Sequence, residues 1–321
     1  MIDRRRVESR LDRGVAANRF TIAITFPAVG AVMLVASAEG WLGAIHPALA
    51  FNPWLLVFGT AVMRLPLIAG VLPLLDRRAT VAIGALTAYT YAIEFVGVLT
   101  GLPYGPFEYT VDLGPMLAGT VPAALPIFFF PLVLNAYLLA ILLLGPRAGR
   151  AWIRLPAVIV TVLAMDVVLD PGAVALGFWA YQPTTAGGLW GALVGTGFYG
   201  VPLSNYAGWV LSATVGVLAF DLGFVRTDLL DRLDSTGFML DDLVSFVILW
   251  GAINAWFGNW IAVGVAAAFG CGLLWTDRFD FAIAETAPLV GPDRTMTAER
   301  PVSAEEPPAP NDQRASARDS R

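Results

Sequence analysis

The sequence has no lysine, and it has only one cysteine and one histidine among its 321 residues. Cys271 cannot form a disulfide within the chain, and one histidine with one cysteine excludes the usual zinc ligand sets. All 20 basic residues are arginines, and 25 acidic residues give a formal net charge of -5. The count of histidine and cysteine predicts no metal site. Because no basic surface for DNA or RNA is expected, we also predict no nucleic-acid partner.

Charged residues are also scarce, at 14% of the chain, whereas hydrophobic residues make up 57% and the mean hydropathy is +0.69. A soluble domain has roughly a quarter of its residues charged. Apolar stretches close to the ~20 residues that cross a bilayer recur at 20–38, 49–75, 79–100, 115–144, 155–177, 198–220, 240–257 and 260–276. We therefore predict an all-α polytopic membrane protein with about eight transmembrane helices, surrounded by membrane lipid.

The arginines alternate between successive connections of these stretches. They occur in the N-terminal segment, at 77–78, at 147–154, at 226–232 and at 278, whereas 39–48, 101–114, 178–197 and 258–259 contain none. This positive-inside pattern predicts a multi-pass protein of the cell membrane with both termini in the cytoplasm. We expect an arginine-rich cytoplasmic N-terminus at 1–19, a helical membrane domain at 20–283 and a disordered cytoplasmic tail at 284–321, where prolines and acids lack apolar periodicity.

Two carboxyl groups lie inside one apolar stretch. Asp166 and Asp170 are spaced i and i+4, so they share one face of a helix. Even on the insertion scale that gives the lowest cost, a charged side chain at the bilayer centre costs about 3 kcal/mol. We therefore expect both carboxyl groups to face the bundle interior. Pro171 and Gly172 follow at once, so we expect the helix to kink or break beside Asp170 and to line a cavity.

Other polar residues are predicted at the same outer end of the bundle. Glu94 lies near the end of the third stretch, and further candidates are Tyr104, Glu108, Asp112, Ser204 and Asn205. Each has a simpler explanation as well. Glu108 and Asp112 could be solvated loop acids, and Glu94 could form a structural ion pair with Arg64. The Asp166 and Asp170 side chains could merely cap backbone amides freed at the break.

Three classes of function use intramembrane acids. An ion-coupled transporter would bind protons or sodium at broken helices, but no internal repeat is visible. A membrane prenyltransferase would hold magnesium diphosphate on the DxxxD of Asp166 and Asp170, but the other acidic pair, Asp241-Asp242, is predicted at the opposite end. The third class is an enzyme that carries out proton chemistry on an uncharged, lipid-soluble substrate.

Three blocks of sequence carry a resemblance to a known family. They are Tyr104-Gly-Pro-Phe-Glu108-Tyr-Thr-Val-Asp112-Leu-Gly-Pro-Met, Met165-Asp166-Val-Val-Leu-Asp170-Pro-Gly-Ala-Val-Ala-Leu-Gly-Phe-Trp179 and Gly197-Phe-Tyr199-Gly-Val-Pro202-Leu-Ser204-Asn205-Tyr-Ala-Gly-Trp209. Over residues 20–280 the chain resembles the carotenoid-biosynthesis membrane hydratases, in particular the bisanhydrobacterioruberin hydratases of salt-loving archaea. The resemblance implies hydration of the terminal double bonds of a fifty-carbon acyclic carotenoid, giving tertiary alcohols without a cofactor.

That reaction needs a proton donor, stabilisation of a tertiary cation and a held water molecule. We assign Asp166 and Asp170 as the central catalytic pair, one protonated and one ionised. Glu94 is the next candidate for the acid or for the base that orients water, and Glu108 and Asp112 are the third. The candidates for packing the polyene end and the cation are Tyr104, Trp179, Tyr199 and Trp209, and those for holding water are Ser204 and Asn205. The glycine-rich segment 179–199 is a candidate route for substrate access, or equally a loose outer loop. Other membrane enzymes of the same pathway are candidate partners.

Overall fold

The structure is a computed structural model and describes residues 4–182, 191–192, 194–278 and 282–287. Helices dominate this part of the chain. They are α1 (Arg4–Ala17), α2 (Phe26–Ala38), α3 (Trp41–Ile45), α4 (Pro53–Met63), α5 (Leu65–Val71), α6 (Arg77–Thr100), α7 (Leu125–Leu144), α8 (Ala151–Leu176), α9 (Leu203–Gly223), α10 (Arg226–Ser235), α11 (Asp241–Phe257), α12 (Trp260–Trp275) and α13 (Ala282–Glu285).

The described helices confirm an all-α polytopic membrane protein, although the count of eight spans is not confirmed. Five helical stretches of the described residues are long and apolar enough to cross a membrane, namely Thr21–Ala38, which joins a π-helical turn to α2, and those of α6, α7, α8 and α9. There are six if α4 and α5, which are bent by 47°, form one span. The last two predicted spans correspond to α11 and α12, which have 17 and 16 residues. The predicted stretch 115–144 is helical only from Leu125, because Met116–Leu117 and Val121–Pro122 pair as a short hairpin.

The helix that carries the two aspartates lies at the centre of the bundle. α8 packs against α7, α9, α11 and α12. Its fully buried residues include Met165, Val168 and Ala173. Side chains on this helix therefore meet residues from several other helices, as was predicted for inward-facing acids.

The predicted break at Asp170-Pro171-Gly172 is wrong, since α8 continues to Leu176. Neighbouring residues stabilise the helix around the proline. Asn254 Nδ2 donates to the Val168 carbonyl at 2.7 Å, and Asn259 Nδ2 donates to the Pro171 carbonyl at 3.2 Å. The carbonyl that Pro171 leaves without a helical donor is that of Val167. The two bonds do not replace that donor, but they hold α8 against Asn254 of α11 and against Asn259 on either side of the proline.

The bundle bends at Arg64 instead, between α4 and α5. Arg64 is buried, and its guanidinium donates to Asp242 Oδ1 at 2.6 Å and to the Ile127 carbonyl at 3.2 Å. Asn135 also donates to Asp242. The alternative ion pair of Arg64 with Glu94 is therefore wrong, because Arg64 is paired with α11.

The arginine-bearing segments meet at one end of the bundle. Arg232 of α10 bonds to Asp12 of α1 at 2.7 Å, and Arg278 bonds to Asp234 at 2.7 Å. Most of the predicted tail, 288–321, and part of the predicted access segment, 183–190 and 193, lie outside the described residues. At the start of that tail, the Thr286 hydroxyl accepts a hydrogen bond from the Phe20 backbone N–H at 2.8 Å.

Candidate active site

Two short strands extend the bundle at the other end. β1 (Phe107–Tyr109) pairs antiparallel with β2 (Trp179–Tyr181), so that Phe107 lies opposite Tyr181 and Tyr109 opposite Trp179. Successive side chains of a strand point to opposite faces. The four aromatic residues therefore share one face, which lines a cavity, whereas Glu108 lies on the other face and is exposed.

The cavity lies between this aromatic face and helices of the bundle. Its volume is about 170 Å³. Most of its wall is apolar, and the wall includes Leu34, Leu56, Met63, Phe128, Phe129, Leu132, Leu169, Phe178 and Leu249. Its ionisable side chains are Arg64, Glu94, Tyr104, Tyr109, Asp170 and Tyr181. An apolar cavity with a few polar groups is typical of a site for an apolar ligand.

One amide links the two aspartates of α8. Asn205 Nδ2 donates to Asp166 Oδ2 at 2.8 Å and to Asp170 Oδ2 at 2.7 Å. Asp170 lines the cavity, whereas Asp166 does not line it and is 0% exposed. Asp166 Oδ1 has no hydrogen-bond partner among the described residues. The two acids are therefore not equivalent, because only Asp170 can touch a ligand in the cavity.

Two tyrosines from the paired strands bond to the acids. Tyr181 donates its hydroxyl to Asp170 Oδ2 at 3.0 Å, and Tyr109 donates its hydroxyl to Glu94 Oε1. Burial, and then the charge of the neighbouring acids, raises the pKa of both tyrosine hydroxyls well above 10.0. Both hydroxyls therefore remain protonated donors at neutral pH.

A third tyrosine forms part of the adjacent wall. The Tyr104 hydroxyl bonds to Ser212 Oγ at 2.7 Å, and Ser204 Oγ donates to the Tyr104 carbonyl at 3.1 Å. Gly208 lets the Tyr104 ring approach α9, because a Cβ at this position would lie 2.4 Å from the ring. Trp209 stacks on Phe129 with ring centroids 5.3 Å apart. These contacts fix the aromatic rings that line the cavity.

The structure brings six of the eleven candidate residues to the cavity wall, namely Glu94, Tyr104, Asp170, Trp179, Asn205 and Trp209. Asp166 and Ser204 are buried outside that wall. Glu108, Asp112 and Tyr199 lie elsewhere, so the expected convergence of all the acids is not observed. Asp112 is exposed and accepts from the Gly114 N–H at 2.8 Å, and the Tyr199 hydroxyl contacts the Ile261 N–H at 3.4 Å.

The candidate set omitted Tyr109 and Tyr181, which contact the acids directly. A signal for them is present in the sequence. Phe107-Glu-Tyr109 and Trp179-Ala-Tyr181 both alternate aromatic and other residues, a pattern that is typical of a strand with one buried face. That alternation also separates Glu108 from its aromatic neighbours.

Comparison with known proteins agrees with this architecture. Residues 51–273 match the model of a family described as carotenoid biosynthesis protein. The chain is also 59% identical over 278 residues to a bisanhydrobacterioruberin hydratase from Haloarcula japonica, covering 87% of this chain and 90% of that protein. No solved structure matches. The match over most of the membrane domain shows that this chain belongs to the carotenoid biosynthesis protein family.

Proposed function

We propose that this protein is a hydratase that adds water to the terminal C=C bonds of an acyclic fifty-carbon carotenoid, converting bisanhydrobacterioruberin to bacterioruberin. The proposal is supported by the identity to the Haloarcula japonica hydratase. The proposed chemistry rests on Glu94 and Asp170, which both lie in the wall of one largely apolar cavity. An apolar cavity suits the end of a carotenoid, and carboxyl groups can move the protons that hydration requires.

The first step is protonation of the less substituted alkene carbon. We assign this proton to Glu94, because the carboxyl receives one hydrogen bond, from the neutral Tyr109 hydroxyl. Asp170 Oδ2 receives two hydrogen bonds, from Asn205 and Tyr181, and this arrangement supports the ionised form. The electron pair of the double bond forms the new C–H bond, and the more substituted carbon becomes a tertiary cation.

The second step is capture of that cation by water. The water oxygen bonds to the cationic carbon, and Asp170 accepts the proton that the water loses. Return of this proton to Glu94 through water restores the starting state. The negative charge of Asp170 and the faces of Trp179 and Trp209 stabilise the cation while it exists.

Asp166 acts as a positioning residue in this scheme. It does not line the cavity, and it shares the amide of Asn205 with Asp170. Two like charges linked by one amide would repel each other, so we place one proton on Asp166 and the charge on Asp170. The pair then holds Asn205 in one orientation beside the reacting end of the substrate.

We also propose that both termini lie in the cytoplasm. The support is the gathering of arginine-bearing segments at one end, where Arg232 contacts Asp12 and Arg278 contacts Asp234. The positive-inside rule assigns this end to the cytoplasm. The carboxyl groups of the cavity would then lie toward the outer half of the bundle.

The function is tested by carotenoid extraction from a host that makes the anhydro precursor, with and without this gene. We expect a mass increase of one water for each hydrated end. An increase of one five-carbon unit would indicate a prenyltransferase, and unchanged pigment together with proton- or sodium-driven uptake in proteoliposomes would indicate a transporter. Either outcome would reject the hydratase.

A further inference from the structure

A second pocket lies at the arginine-bearing end of the bundle, away from the carboxyl cluster. Its volume is about 190 Å³. It lies between the ends of α7, α8 and α9 and the start of α10, and it is lined by Tyr137, Arg154, Asp221, Val225, Arg226 and Thr227. None of these residues takes part in the proposed hydration. That reaction therefore does not account for the polar side chains of this pocket.

The arrangement of charges leaves this pocket positive. Arg154 bonds to Asp221 and to the Ala148 carbonyl, and the other oxygen of Asp221 accepts from the Tyr137 hydroxyl at 2.6 Å. Asp221 therefore balances Arg154. Arg226 makes no hydrogen bond or ion pair with the described residues, so its charge is not balanced within the pocket.

Two kinds of N–H group in the pocket wall lack acceptors. Arg154 is 4% exposed, yet its Nε has no hydrogen-bond partner among the described residues. A buried N–H of this kind normally finds an acceptor. The N-terminus of α10 also begins here, at Arg226, and no side chain caps it. The free backbone N–H groups of a first helical turn favour anions, and phosphate in particular.

The surface beside the pocket is apolar. Val225 lines the pocket and is 53% exposed, and Leu222, one turn earlier in the chain, is 67% exposed. Trp152, in the first turn of α8, is 73% exposed, and tryptophan is common at the level of lipid headgroups. A ligand in this pocket would thus have its anionic group against arginine and its remainder against apolar side chains.

We infer that this pocket binds the phosphate group of an anionic membrane lipid. Arg226 and the N-terminus of α10 contact the phosphate, the Arg154 side chain adds positive charge beside it, and the acyl chains lie against Val225 and Leu222. Basic pockets between membrane helices bind acidic headgroups by the same combination of charge and hydrogen bonding. The lipid would connect α8 to α10 at the edge of the bundle.

The test uses the purified full-length protein in neutral detergent. Dioleoyl phosphatidylglycerol, dioleoyl phosphatidylcholine and inorganic phosphate are titrated separately, and bound lipid and Tm are measured by native mass spectrometry and thermal unfolding. We expect phosphatidylglycerol to bind and raise the Tm, and Arg226→Gln to weaken its binding about fivefold. Arg77→Gln, which removes an exposed arginine at the start of α6, is the matched control and should bind as the wild type does.

Thr227→Val provides a second variant that changes no charge, and it should also weaken binding because Thr227 lines the pocket. Equal binding of the two lipids, or equal weakening by Arg226→Gln and Arg77→Gln, would overturn the inference. A rise in Tm with inorganic phosphate equal to that with phosphatidylglycerol would assign the pocket to a soluble anion and overturn the lipid assignment.

Discussion

Replacement of Asp170 by asparagine separates the charge of this residue from its structural contacts. In the native protein Asp170 Oδ2 accepts from Asn205 at 2.7 Å and from Tyr181 at 3.0 Å. The amide oxygen of Asp170→Asn can accept both hydrogen bonds, so the fold and the cavity wall should be retained. The variant loses the negative charge and the group that takes a proton from water.

We expect product formation by Asp170→Asn to fall by at least about 100-fold, because a positioned acid or base contributes roughly 10²- to 10⁴-fold. The assay is the ratio of hydrated to anhydro carotenoid after extraction, with protein amount and Tm measured on the same membranes. Glu108→Gln is the matched control, since Glu108 is exposed on the opposite face of β1 and should retain full activity. Wild-type product levels in Asp170→Asn would refute the proposed role.

Three further variants test other contacts. Tyr181→Phe removes one hydrogen bond to Asp170 and should lower product formation about tenfold or more. Because burial raises the pKa of Tyr181 well above 10.0, the loss of activity should be the same at every pH up to that value. A loss that varies with pH below it would contradict the assignment. Arg64→Met leaves Asp242 buried without its ion pair and should destabilise the fold by about 3–5 kcal/mol, seen as a lower Tm that Asp242→Asn partly restores. Gly172→Ala places a Cβ 2.9 Å from Trp250 and should cost about 1–3 kcal/mol; an unchanged Tm would contradict this packing.

Much of the membrane domain could be predicted from composition and periodicity. Each predicted apolar stretch contains a helix, because apolar runs of this length bury their backbone polar groups most simply as helices. The inward placement of Asp166 and Asp170 could also be predicted, since an acid facing lipid is costly. These predictions depend on local sequence, which is visible without the fold.

Features that depend on distant contacts could not be predicted in the same way. Pro171 indicated a broken helix, but Asn254 and Asn259 donate to carbonyls around it and the helix continues. The pairing of Phe107 with Tyr181 joins residues far apart in the chain, so nothing local to either strand indicates its partner. This pairing brings two tyrosines to the acids and turns Glu108 away from the cavity.

In the proposed reaction the end of a carotenoid enters the cavity between Glu94 and Asp170. The most direct test of this step is a structure by electron cryomicroscopy of the protein bound to the anhydro precursor. We expect the terminal double bond to lie in contact with both carboxyl groups, with the polyene leaving along the apolar wall. A carotenoid bound on the outer surface of the bundle, with its ends distant from both acids, would reject the proposed reaction.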